Sequence, residues 1–330
     1  MSASLERRLA ALRRDYLSVT GTPFQHFFCP ILWKDDEALL CRAHVINRKF
    51  DGADPAWTVQ RADVDAWFGS LFENDFLAIE QRGRPVAGEA LLNRGLAQRL
   101  RPEITVDGHV VAHYPRRGHV PEGHTAVDVN IRDATASLAL KLTPSEVLSS
   151  RGGEWEVRVQ KDVRVQALAS VLKAAHLTMF HLLGYRYALS GGGRFLGVDV
   201  LGTLFLKSQG MERPASLTLA KHHLKQFSSM VRPLIEAPTE TPGTITDRCV
   251  HFLMRGHEIW GCLVFVRTAN HLHAAVVPIL ESPESAALFA RFLESPAMRI
   301  ETRIGRFGPD AVELSPSSQW IDWPEAPFDV

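Results

Sequence analysis

The sequence predicts an α+β protein: an N-terminal β-hairpin unit packed on a larger mixed domain with a long buried helix and a C-terminal antiparallel meander. Three observations carry this. Helical and strand-like runs follow one another without the regular alternation of a doubly wound sheet. One helical signal, residues 162–187, places Leu168, Val171, Leu172, Ala175, Met179, Leu182 and Leu183 at three- and four-residue spacing. Three strand-like runs, 248–254, 258–267 and 272–280, are separated only by short turns, which is the pattern of a meander.

Taken in order, residues 5–16 set Leu5, Leu9, Leu12 and Tyr16 on one face of a helix and leave Arg7, Arg8, Arg13 and Arg14 elsewhere. That basic side reads as a solvated surface. Gly21-Thr22-Pro23 breaks the chain before a stretch rich in cysteine and histidine, and 51–55 is a turn. A helix over 62–73 follows, with Val64, Trp67, Phe68 and Leu71 at helical spacing. Residues 75–91 read as a hairpin and 104–142 as strand-rich. Gly191-Gly192-Gly193 stops the long helix, a shorter helix covers 216–231, and the Pro- and Thr-rich stretch 236–246 reads as a linker. A last helix covers 284–293. The expected division is 1–75, 76–235 and 245–330, the last packed on the region before it.

The 330 residues are 45% apolar and 22% charged, enough to bury a core unaided. Lys plus Arg (37) balances Asp plus Glu (37), so coating nucleic acid or membrane by bulk charge is excluded while a local basic face stays open. No run reaches the roughly 18 apolar residues of a membrane helix. Residues 2–8 lack the apolar core of a secretory signal, and four cysteines do not make a disulfide framework. The expected compartment is a reducing cytoplasm.

The strongest motif is His26-x2-Cys29-x11-Cys41-x2-His44. If a tight turn brings i and i+3 to one side, two such pairs across a hairpin turning at Lys34-Asp35-Asp36-Glu37 supply the four N/S ligands of a tetrahedral zinc ion. On this reading the hairpin is zinc-stapled, and the metal stabilises its folding. The alternative is that both cysteines are small buried apolar groups and both histidines ordinary surface groups.

The segment Cys41-Arg42-Ala43-His44-Val45-Ile46-Asn47-Arg48-Lys49-Phe50 resembles the core of the HNH endonucleases, a ββα-metal family that includes zinc-binding members. The resemblance covers about 30 residues. It implies a phosphodiesterase acting on DNA or RNA with Mg2+ or Mn2+, in which His44 is the general base. Asn47 stands where proline is usual, and Ala43 where many members carry a metal-binding Asp or His. His44 cannot be both zinc ligand and free base, so two functions stay open. One is an HNH-like zinc-binding nuclease with His44 and Asn47 at its site. The other is a non-catalytic interaction protein with a degenerate module, binding a protein partner or a second copy of itself. Arg42, Arg48, Lys49, Arg116 and Arg117 are the cations expected to meet nucleic acid.

Other clusters read more plainly. His109, His113, His119 and His124 fall in an expected exposed loop, because Tyr114-Pro115 argues against a helix there. With a two-residue turn at Arg255-Gly256, Cys249 faces Cys262 and Met254 faces His257. That thiol pair either ligates metal with His251 or His257 or packs as two apolar groups, and packing is favoured. His176 and His181 do not share a helix face well.

Overall fold

A computed structural model describes residues 2–47, 56–71, 101–106, 109–113, 125–126, 128–130, 139–141, 156–160, 168–208, 230–234, 249–267, 272–294, 298–307 and 312–323. The chain divides into two compact units, one formed by 1–73 together with 168–330 and the other by 74–167. The long helix therefore shares a unit with the N-terminal stretch rather than with 76–167, where the sequence placed it.

In the first unit, α1 (Ala3–Thr20) starts at Ser2, whose hydroxyl accepts the Leu5 N–H, and stops at Gly21 in the left-handed region. It buries Leu5 and Leu12 and leaves Arg7, Arg13 and Arg14 exposed. A minimal hairpin follows, β1 (Phe28–Cys29) paired with β2 (Lys34–Asp35). The expected turn at 34–37 is thus corrected: Pro30 to Trp33 make the turn, with Trp33 at φ 52° and its N–H on the Cys29 carbonyl at 2.9 Å. Proline with its fixed φ starts this turn well. Strand β3 (Leu40–His44) does not pair back with 28–29. It pairs antiparallel with β4 (Trp57–Arg61), and β4 runs directly into α2 (Ala62–Leu71). The local order is therefore β-β-α.

The second unit holds a four-stranded sheet in the order β10 (Glu156–Gln160), β5 (Arg101–Val106), β6 (His109–His113) and β7 (Thr125–Ala126), with β6 and β7 parallel. A separate pair joins β8 (Asp128–Asn130) to β9 (Ala139–Lys141). The strand-rich reading of 104–142 holds, but His109–His113 is a strand and not loop. The β-branched, apolar run Val110-Val111-Ala112 between two histidines carries a strand signal that the histidine count obscured. The expected hairpin at 75–91 lies outside the described residues, as do Arg116 and Arg117.

The core of the first unit is α3 (Leu168–Ala188). Every residue from Leu168 to Phe180 is buried, so the helix is enclosed on all sides. It breaks at Gly184 (φ 59°), where any side chain would collide with the Asp15 carboxylate that accepts the Tyr185 N–H at 2.6 Å. The Gly191–Gly193 run, expected as a stop, instead opens a new turn, α4 (Gly191–Arg194), capped by Ser190. Glycine is needed because the Pro278 and Tyr187 carbonyls lie where the Cβ atoms of Gly192 and Gly193 would be. A π-helical stretch (Phe195–Gly202) and α5 (Thr203–Ser208) follow.

The expected meander is present within a curled antiparallel sheet. Its order is β11 (Val231–Leu234), β14 (Leu272–Pro278), β13 (Glu258–Arg267), β12 (Cys249–Arg255), β15 (Met298–Phe307) and β16 (Val312–Leu314), with β17 (Gln319–Trp323) also on β15. The expected thiol register is corrected. Gly256-His257 forms the turn, Arg255 pairs with Glu258, and a bulge shifts Phe252 opposite Cys262 while Cys249 pairs with Arg306. Val231, the expected last residue of the 216–231 helix, instead opens a strand, while Met230 is helical; residues 216–229 and the 236–246 linker lie outside the described residues. Helix α6 (Pro283–Glu294) packs Phe292 on Trp260 and Trp323, each at 5.5 Å between ring centroids. No helix among the described residues is long and apolar enough to cross a membrane.

Candidate functional site

The four residues of the cysteine–histidine motif take separate places. His26 is exposed, and its backbone N–H meets an Asp35 carboxylate oxygen at 2.9 Å. Cys29 is fully buried; its thiol donates to Gln60 Oε1 at 3.2 Å, and burial pushes it up to about 12. Cys41 stands opposite Gln60 in the β3–β4 pairing and is half-buried near the Asp65 carboxylate. Burial, then the charge of Asp65, pushes it up to about 11, with Lys173 opposing. His44 stands opposite Trp57.

Because β3 runs straight, side chains three positions apart point to opposite faces, so Cys41 and His44 are turned away from each other. The tight turn on which the expected ligand set depended is absent at this point. Among the described residues no three His, Cys, Asp or Glu side chains stand together as a metal ion requires, and this structure does not bring His26, Cys29, Cys41 and His44 into one group.

The inner face of the hairpin is a polar packing layer. Lys173, 3% exposed on α3, meets Asp65 of α2 at 2.7 Å and lies 5.7 Å from the Phe68 ring centroid. At the end of β4, on the Arg42 side by the same alternation, Arg61 bridges Asp36 and Asp63, and this contact holds the Asp63 carboxyl below its usual range. Deeper in, His176 is fully enclosed, with Nδ1 2.9 Å from the Tyr187 hydroxyl. Burial pulls it down to about 4, with the Pro30 carbonyl opposing, so it is neutral. Gly197 of the π-helical stretch lets Pro30 and His176 approach: an added Cβ would lie 2.8 Å from the His176 ring.

The outer face is different. Arg42 is exposed, with its guanidinium carbon 4.2 Å from the Trp57 ring centroid. The contact is diagonal across the strand pair, Trp57 being opposite His44. Alternation along β3 puts His44 on this same face. The Trp57 carbonyl lies 3.2 Å from His181 Nδ1 on α3, and Arg8 Nη2 of α1 is 3.2 Å from the same nitrogen. Asn47 is half-buried just past β3. Arg48 and Lys49 lie outside the described residues, so of the cations expected at nucleic acid Arg42 is the one the structure places.

Sequence reading missed Trp57 as the neighbour of Arg42, and His181 and Arg8 as the groups gathered at the Trp57 carbonyl. Their proximity depends on the β3–β4 register and on α1 packing against α3, neither of which leaves a local signal. Comparison with protein-family models, with curated proteins and with solved structures finds no match to this chain.

Proposed function

We propose that this chain binds nucleic acid through the outer face of the β3–β4 hairpin, and that the β-β-α module is a recognition element rather than a zinc staple. The observation that supports this is the exposed Arg42 held over Trp57. Stacking fixes the guanidinium without using its hydrogen-bond donors, which stay available to phosphate oxygens, and the aromatic edge beside it suits an unstacked base. A chain of zero net charge binds this way only through a local patch, which predicts modest affinity and strong salt dependence.

A second reading, phosphodiester hydrolysis, is favoured by His44. Its position on the Arg42 face at the end of β3, away from both thiols, supports a general-base role.

One set of assays addresses both. Labelled single-stranded DNA, duplex DNA and RNA are titrated with protein at about 50 and 200 mM salt and followed by fluorescence anisotropy. Arg42→Ala should weaken binding about tenfold at the lower salt, the scale of one lost stacked cation. Absence of binding to all three at micromolar protein and low salt overturns the proposal. The same oligonucleotides incubated with Mg2+ or Mn2+ report cleavage; loss of cleavage in His44→Ala with binding retained supports the second reading, and an intact substrate with wild-type protein rejects it.

A further inference from the structure

The half-buried Arg8 carries a charge that the described residues do not pair. Its Nη2 donates to the His181 carbonyl at 3.3 Å and stands 3.2 Å from His181 Nδ1. That nitrogen is also 3.2 Å from the Trp57 carbonyl, which can only accept. The arrangement that satisfies all three groups gives the Nδ1 proton to Trp57 and leaves Arg8 with one carbonyl. Arg8 Nε is buried without a hydrogen-bond partner among the described residues. The acid that acts on it, Asp15, does so only through space, because its carboxylate accepts the Tyr185 N–H at 2.6 Å. A guanidinium taken out of water is ordinarily matched by a carboxylate or phosphate. Here none of the described residues supplies one.

Trp57 links this cation to the hairpin face: its ring lies under Arg42 and its carbonyl meets His181, Arg8's neighbour. We propose that Arg8 is a second phosphate-binding group of the same site, so that a single strand lying on Arg42 and Trp57 places another phosphate against Arg8 at the outer edge of β4. This rests on the nucleic-acid reading above and assigns it a footprint of at least two phosphates. Arg7 and Arg14, exposed on α1, stand on the neighbouring surface and extend the favourable field.

The test is the salt dependence of binding to labelled single-stranded DNA. Each phosphate contact contributes about 0.7 to the slope of log K against log salt. Arg8→Met, which keeps the packing volume, should lower the slope by about that amount; Arg8→Lys should restore it, and the loss should add to that of Arg42→Ala. A wild-type slope in Arg8→Met while Arg42→Ala weakens binding overturns the role of Arg8 and leaves the broader reading standing. No binding by wild type removes both.

Should Arg8→Met fail to fold, the wild-type protein decides. Phenylglyoxal modification of Arg8, followed by mass spectrometry, should be suppressed by bound oligonucleotide, and equal modification with and without it overturns the proposal. Displacement of the oligonucleotide by polyglutamate as readily as by unlabelled DNA rejects nucleic acid as the ligand in favour of an acidic protein.

Discussion

Lowering the pH from 7 to 5 should destabilise the first unit through His176. In the folded chain the imidazole is fully enclosed and protonates only near pH 4, whereas unfolded it takes a proton at about 6.5. Below 6.5 the unfolded chain therefore binds a proton that the folded chain does not. Stability is whole above that pH, falls as pH drops, and stops falling once the native imidazole also protonates near 4. The gap corresponds to about 3 kcal/mol in full, of which about 2 kcal/mol is lost between pH 7 and pH 5. Few ordinary carboxylates titrate in that window, so His176 should dominate it. Urea unfolding followed by circular dichroism at both pH values, for wild type and for His176→Gln, isolates the effect. The variant keeps an acceptor for the Tyr187 hydroxyl but cannot gain the proton, so its stability should vary less by about 2 kcal/mol. Parallel pH dependences for the two proteins would refute the reasoning.

Two further outcomes follow from the packing. Asp65→Asn removes the carboxylate that meets the buried Lys173 ammonium, 3% exposed, and should lower stability by about 3 kcal/mol; adding Lys173→Met should recover most of that, because the buried charge is then gone as well. Denaturant midpoints of the single and double variants check this, and a double variant no better than the single rejects the buried ion pair as its cause. Gly197→Ala sets a methyl group against the Pro30 carbonyl and the His176 ring, and should lower stability by about 1–3 kcal/mol. A thermal midpoint equal to wild type would show that the N-terminal segment does not pack on the π-helical stretch as closely as described.

The elements most legible in the sequence are those whose signal is local. The long helix, α6 and the β12–β14 meander announce themselves by periodicity and short turns, and each lies close to its expected position. What failed was long-range or depended on one turn. Cys41 and His44 have a spacing that means one thing in a tight turn and the reverse in a straight strand, and the partner of β3 was sought at 28–33 when it lies at Trp57–Arg61. A two-residue hairpin moved by one position separates Cys249 from Cys262. Arg8 resembled a solvated charge because periodicity cannot say that α1 turns this residue toward His181. The outer-face site was therefore nearly invisible: of its members only Arg42 and His44 were singled out, and His44 for a different reason.

The division of the chain has a consequence for how it tolerates change. Residues 74–167 leave the first unit after α2 and return at α3, and the two flanking helices are clamped by the Asp65–Lys173 pair. Phe68 and Lys173 are in contact, and from there only three residues lead to the end of α2 and five back to the start of α3. At about 1.5 Å per helical residue, exit and re-entry are therefore near neighbours. The intervening stretch is thus an insertion between two neighbouring ends of the first unit. A change in its length need not alter the β3–β4 register, because both ends stay fixed by the same helix pair.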